Sequence, residues 1–146
     1  MIRSFESMLN LKRWREDEVK NMLALCIKEH AIEEEKLLKL ESQYDFVSRQ
    51  IGEVSKKTID IGDIQRLQQY SEQLVIEIQR QRIVVTEHER KVDDARALLL
   101  DVSKERKTYE RLDEKMKTTH KQQTSRKEQN DADERASTQH GRHERK

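Results

Sequence analysis

Few side chains in this 146-residue chain are spaced for chemistry, and each has a plainer use. His140 and His143 stand three residues apart, a spacing that can hold a metal ion from one helical turn. Gly141 lies between them in a polar segment, so they read as a solvated tail and no metal ligands are assigned. Glu33, Glu34 and Glu35 are adjacent carboxylates, but general acid–base work needs a desolvated site to raise a carboxyl pKa. Cys26 is the sole cysteine. That excludes an intramolecular disulfide and a cysteine-based zinc cluster, and on an apolar stripe Cys26 reads as a small buried hydrophobe. The glycines Gly52, Gly62 and Gly141 make no phosphate-binding loop. The chain reads as non-enzymatic, with no catalytic residue and no cofactor.

What these residues sit on is more informative. Apolar residues step by alternating threes and fours through Phe5, Leu9, Val19, Leu23, Cys26, Leu37, Leu40, Tyr44, Val47, Ile51 and Val54. The rhythm resumes at Ile64, Leu67, Leu74, Ile78, Val85, Val92, Ala95, Leu99, Val102, Tyr109 and Met116. A mean repeat of about 3.5 residues marks a helix that lays one seam along a partner helix. The chain has no proline, the residue that most reliably breaks a helix interior. The spacing predicts an all-α fold, a long two-helix antiparallel coiled-coil hairpin with a flexible C-terminal tail. Helix 1 should cover about 4–54 with Ser4 as N-cap. A turn over 55–63 should follow, with Gly62 in it and Gly52 just before it. Helix 2 should cover about 63–117, capped by Asp63 or, one turn earlier, Asp60. Two seams of similar length on either side of a short break favour a hairpin in one chain, a monomer when isolated. Residues 118–146 carry only Ala132 and Ala136 as apolar side chains. They should form a polar tail, disordered or marginally helical.

Composition agrees. Charged residues make up 40% and hydrophobic residues 33%, too little apolar material for a globule but enough for a narrow seam. The formal net charge is +1, with the signs interleaved, which gives no drive toward nucleic acid or anionic lipid. No apolar run approaches the roughly 18 residues of a membrane span, and a signal-peptide core is lacking, so the chain is read as cytoplasmic.

Polar residues occupy ladder positions at Lys12, Glu16, His30, Glu33, Ser71, Gln81, His88, Arg106 and Asp113, where they can fix register. His30 and His88 should share a layer, either as a pH-sensitive pair or as a plain hydrogen-bonded one. Opposite the seam, Leu11, Leu25, Ile32 and Phe46 share one heptad position beside Trp14, while Ile76 and Ile83 share another. An apolar stripe on a charged surface suggests partner contact, and tryptophan is favoured in binding hot spots. The alternative is local burial where helix ends splay.

Four segments together resemble the flagellar export protein FliJ family of type III secretion. They are Phe5-Glu6-Ser7-Met8-Leu9-Asn10-Leu11-Lys12 followed by Glu16-Asp17-Glu18-Val19, the middle Gln68-Gln69-Tyr70-Ser71-Glu72-Gln73-Leu74, the run Lys91-Val92-Asp93, and Gln129-Asn130-Asp131-Ala132-Asp133-Glu134-Arg135-Ala136. The resemblance implies a non-catalytic stalk similar to the rotor stalk of rotary ATPases. Its implied partners are the hexameric export ATPase and its regulator, the cytosolic domain of the membrane export gate, and export chaperones. It implies ATPase-ring binding through Phe5, Leu9, Leu11, Trp14, Tyr109, Asp133, Glu134 and Ala136. It implies gate binding through Tyr44, Phe46, Tyr70 and Leu74. The expected location is the cytoplasm, peripheral to the inner membrane through partners, in the service of motility. A virulence-type secretion stalk and a structural homodimeric adaptor are the alternative readings.

Overall fold

The computed structural model describes residues 2–57 and 60–144, with side chains from 3 to 142. They form an all-α helical hairpin of two helices, α1 (Ile2–Val54) and α2 (Ile61–Glu144). The ladder continues without a missed step in both. In α1 every position of the series 5, 9, 12, 16, 19, 23, 26, 30, 33, 37, 40, 44, 47, 51, 54 is buried or half-buried. In α2 the same holds from Ile64 through 67, 71, 74, 78, 81, 85, 88, 92, 95, 99, 102, 106, 109 and 113 to Met116. The polar residues on the ladder therefore face inward with the apolar ones.

The connection differs from expectation in detail. Ser4 lies inside α1, which already runs from Ile2, so it is not the N-cap. Gly52 belongs to the last turn of α1 and Gly62 to the first turn of α2, and neither has positive φ. The α1 end tightens instead through Lys56 N–H to Glu53 O at 3.2 Å and Lys57 N–H to Val54 O at 3.1 Å. Ser55 Oγ adds a bond to Gly52 O at 3.0 Å. Three-residue closures of this kind satisfy carbonyls that a helix end leaves open. Of the two candidate caps for α2, Asp60 serves: its carboxylate accepts from Gly62 N–H at 3.4 Å. Asp63 lies in the first turn, where a carboxylate suits the helix dipole. Thr58 and Ile59, inside the expected turn, lie outside the described residues.

The larger difference lies beyond Lys117. Where a disordered or marginally helical tail was expected, α2 continues to Glu144, with residues 117–142 all exposed. Position 117 marks where packing ends. Helix persists because the segment has no proline and is rich in Lys, Arg, Gln, Glu and Ala, which favour helix without burial. Three of its threonines bond back onto the preceding turn, which occupies their hydroxyls within the helix but does not itself stabilise it: Thr118 bonds Glu114 O at 2.8 Å, Thr124 bonds His120 O at 2.9 Å, and Thr138 bonds Glu134 O at 2.8 Å.

Two units divide the chain. One is Met1–Glu16 with Asp101–Lys146, the other Asp17–Leu100. The first has Leu9 and Val102 in its core. The second is built on Val19, Val47, Leu74, Ile78, Val85, Val92 and Ala95.

Candidate functional site

In the unit of both chain ends, Phe5 of α1 stacks on Tyr109 of α2, ring centroids 5.7 Å apart. Lys12 Nζ lies 5.2 Å from the Tyr109 centroid and donates to Glu105 Oε1 at 2.7 Å. That bond to Glu105 raises the Lys12 pKa above its ordinary value. One turn on, Arg106 Nε donates to Glu16 Oε2 at 2.8 Å and its Nη1 to Glu110 Oε2 at 2.8 Å. The Glu16 bond comes first among the causes that raise the Arg106 pKa. Arg13 reaches Glu110 at 3.4 Å, and Lys117 pairs with the buried Asp113 at 3.1 Å. Glu16 and Arg106, both on the ladder, thus join Glu110 and Arg13 in an ion-pair network across the two helices. Opposite charges at Glu16 and Arg106 were the available signal, because their numbers sum close to those of the His30 and His88 layer.

Of the residues expected to meet an ATPase, Phe5, Leu9 and Tyr109 join in this packing. Leu9 is buried and Phe5 and Tyr109 are half-buried. Leu11 is 59% and Trp14 62% exposed. Asp133, Glu134 and Ala136 stand on the unpacked part of α2, fully on the surface. Phe5, Tyr109, Met8, Leu112 and Met116 line one surface groove. Met8 and Leu112 were missed because they flank the ladder rather than lie on it.

In the other unit, Phe46 and Tyr70 line one groove of about 440 Å³ with Val47 and Leu67. Phe46 is 63% and Tyr70 45% exposed. Tyr44 lines a separate groove with Glu41, Val75, Ile78 and Arg82. Leu74 is buried in the core, so its side chain is not open to a partner. The set expected to meet the gate therefore divides: Phe46 with Tyr70 at one groove, Tyr44 at another, Leu74 in the core. The rest of the expected stripe is also on the surface, Leu25, Ile32, Ile76 and Ile83 all being exposed, which removes local burial as an account of these side chains in the hairpin.

The polar layers of this unit are specific. Gln81 Nε2 donates to Glu33 Oε2 at 2.7 Å and to Glu33 O at 2.9 Å. Lys36 adds a bond to Glu33 Oε1 at 3.1 Å. Gln81 first and Lys36 second hold the Glu33 carboxyl below its ordinary pKa. The histidine layer departs from the hydrogen-bonded reading. His30 Nε2 and His88 Nδ1 are shut off from solvent, and neither has a hydrogen-bond partner. His140 is exposed, and the side chain of His143 lies outside the described residues.

No helix among the described residues is long and apolar enough to cross a membrane. A family sequence profile, described as the flagellar FliJ protein, matches residues 1–145. No curated protein and no solved structure matches the chain.

Proposed function

Given that this chain belongs to the flagellar FliJ protein family, and so to flagellar export, we propose that it is a non-catalytic stalk joining the export ATPase ring to the cytosolic domain of the membrane export gate. One observation carries the reading. Large apolar side chains stand in water on a hairpin whose seam is already closed: Leu11 and Trp14 in one unit, Phe46 and Tyr70 in the other. An exposed tryptophan and paired aromatics over a fixed core suit binding hot spots, because they bring contact area at little ordering cost.

The ATPase-facing set is Leu11 and Trp14, in the same unit as the packed Phe5, Leu9 and Tyr109. The helix carrying Asp133, Glu134 and Ala136 adds a second element, unpacked and so available to a ring interior. The gate-facing set is Phe46 and Tyr70 at one groove and Tyr44 at another, with Leu74 in the core. A stalk can alter ATP turnover only by contacting the states of the ring unequally, since a ligand with equal affinity for all states shifts nothing. The ATPase regulator and export chaperones are further partners of the same surfaces. The place of action is the cytoplasmic face of the inner membrane, reached through partners.

The test is turnover. Added to the purified export hexamer, the full chain should change the ATP hydrolysis rate, and Trp14→Ala should lose most of that effect while its melting midpoint stays put. A hexamer indifferent to the folded chain would refute the stalk.

A further inference from the structure

We propose that His30, Glu34 and Glu89 form a binding site for a divalent transition-metal ion, with zinc the best fit, that clips α1 to α2. His30 and Glu34 are four residues apart on α1 and so project from one face of the helix. Glu89 follows His88, the α2 residue of the layer that His30 occupies. One donor atom from each of the three lies within 4.8 Å of the other two.

The spacing suits a shared ion better than a direct contact. His30 Nε2 is 3.6 Å from Glu89 Oε1, beyond a hydrogen bond. Two donors each about 2.1 Å from one tetrahedral ion sit about 3.4 Å apart. The Nε2 atom is also closed off from water and unpartnered, a condition buried polar atoms rarely tolerate. A metal ion would satisfy it.

Charge points the same way. Neighbouring carboxylates have cations: Glu33 has Lys36, Glu35 has Lys39 and Glu41 has Arg82. Neither Glu34 nor Glu89 pairs with a lysine or arginine among the described residues, although their carboxylates converge. One imidazole and two carboxylates suit zinc and its first-row neighbours, whereas magnesium prefers oxygen donors and keeps its water. Both glutamates are exposed, which gives the ion an entry path and leaves a fourth position to water. His88 stands outside the group, and because the three donors come from both helices the ion's role is to hold register between them.

Isothermal titration of the full chain with zinc chloride tests this. The expected result is one zinc per chain and a melting midpoint that rises with zinc and returns on chelation. Glu34→Gln and Glu89→Gln lie on exposed side chains and keep the fold. Each should weaken zinc by about tenfold or more, as should His30→Gln. His140→Gln and Cys26→Ser should leave affinity unchanged, and magnesium should not compete. Absence of zinc binding, undiminished binding in Glu89→Gln, or loss of binding in His140→Gln would each overturn the proposal.

Discussion

Phe46 and Tyr70 come from different helices yet line the same groove, both exposed, together with the buried Val47. Surface and core are therefore separable by mutation at this place. Tyr70→Ala and Phe46→Ala should leave the melting midpoint nearly unchanged and weaken the gate's cytosolic domain by at least about 1 kcal/mol each. Leu74→Ala should cost roughly 2–5 kcal/mol of stability by opening a cavity. Urea unfolding and gate titration on the same three variants check both halves. A collapse of stability in Tyr70→Ala would make it a core residue.

The Arg106 network gives a second contrast. Arg106→Met removes the 2.8 Å bond to a Glu16 carboxylate that is only 5% exposed. Losing one hydrogen bond to a charged group costs about 1.5–3 kcal/mol. The double variant Glu16→Leu with Arg106→Met should recover part of that loss, because an apolar pair needs no desolvation of charge. Denaturant midpoints of the two singles and the double check it; strict additivity would contradict the coupling.

Glu33 predicts a pH dependence with a definite sign. Bonds from Gln81 and Lys36 place its folded pKa below the ordinary 4.5. Its contribution is therefore complete above that value and is lost as pH falls through the lower, folded one. The gap in melting midpoint between the native chain and Glu33→Gln should be steady at neutral pH and close as pH drops below 4.5. A gap unchanged down to strongly acidic pH would show that the carboxylate is not stabilised by these bonds.

Removing residues 118–146 should barely move the unfolding midpoint, within about 0.5 kcal/mol, because the positions described there, 118–142, are all exposed and lie beyond the packed seam. The same truncation should reduce the helical signal and weaken the effect on the export ATPase. Circular dichroism and turnover of the truncated chain check these together. A large loss of stability would mean that the segment packs against something.

The seam was legible from the sequence because burial along a two-helix contact follows a 3.5-residue period and nothing else competes with it. Even Glu16, Glu33, Arg106 and Asp113 could be placed on it by counting. The end of α2 was not legible. The same loss of apolar period at 118 suits a disordered chain and a solvated helix alike, and helix propensity decides between them. Partner choice within a layer was also hidden, since Gln81 meeting Glu33 and Glu89 nearing His30 depend on axial register, which periodicity leaves open. The surface residues were half legible. Leu11 and Phe46 stood out by heptad position and Trp14 by lying beside Leu11, whereas Tyr70 was picked out by resemblance alone, and its exposure required the packed helices.

The central claim is that one chain joins two partners through separate surfaces, and ternary capture tests it most directly. The export ATPase is immobilised, the gate's cytosolic domain is offered, and the amount retained is measured with and without the full chain. Gate retention is expected only when the native chain is present. Tyr70→Ala should remain on the ATPase but lose the gate, and Trp14→Ala should lose both. Retention of the gate without the chain, or equal retention with all three forms, would contradict the account.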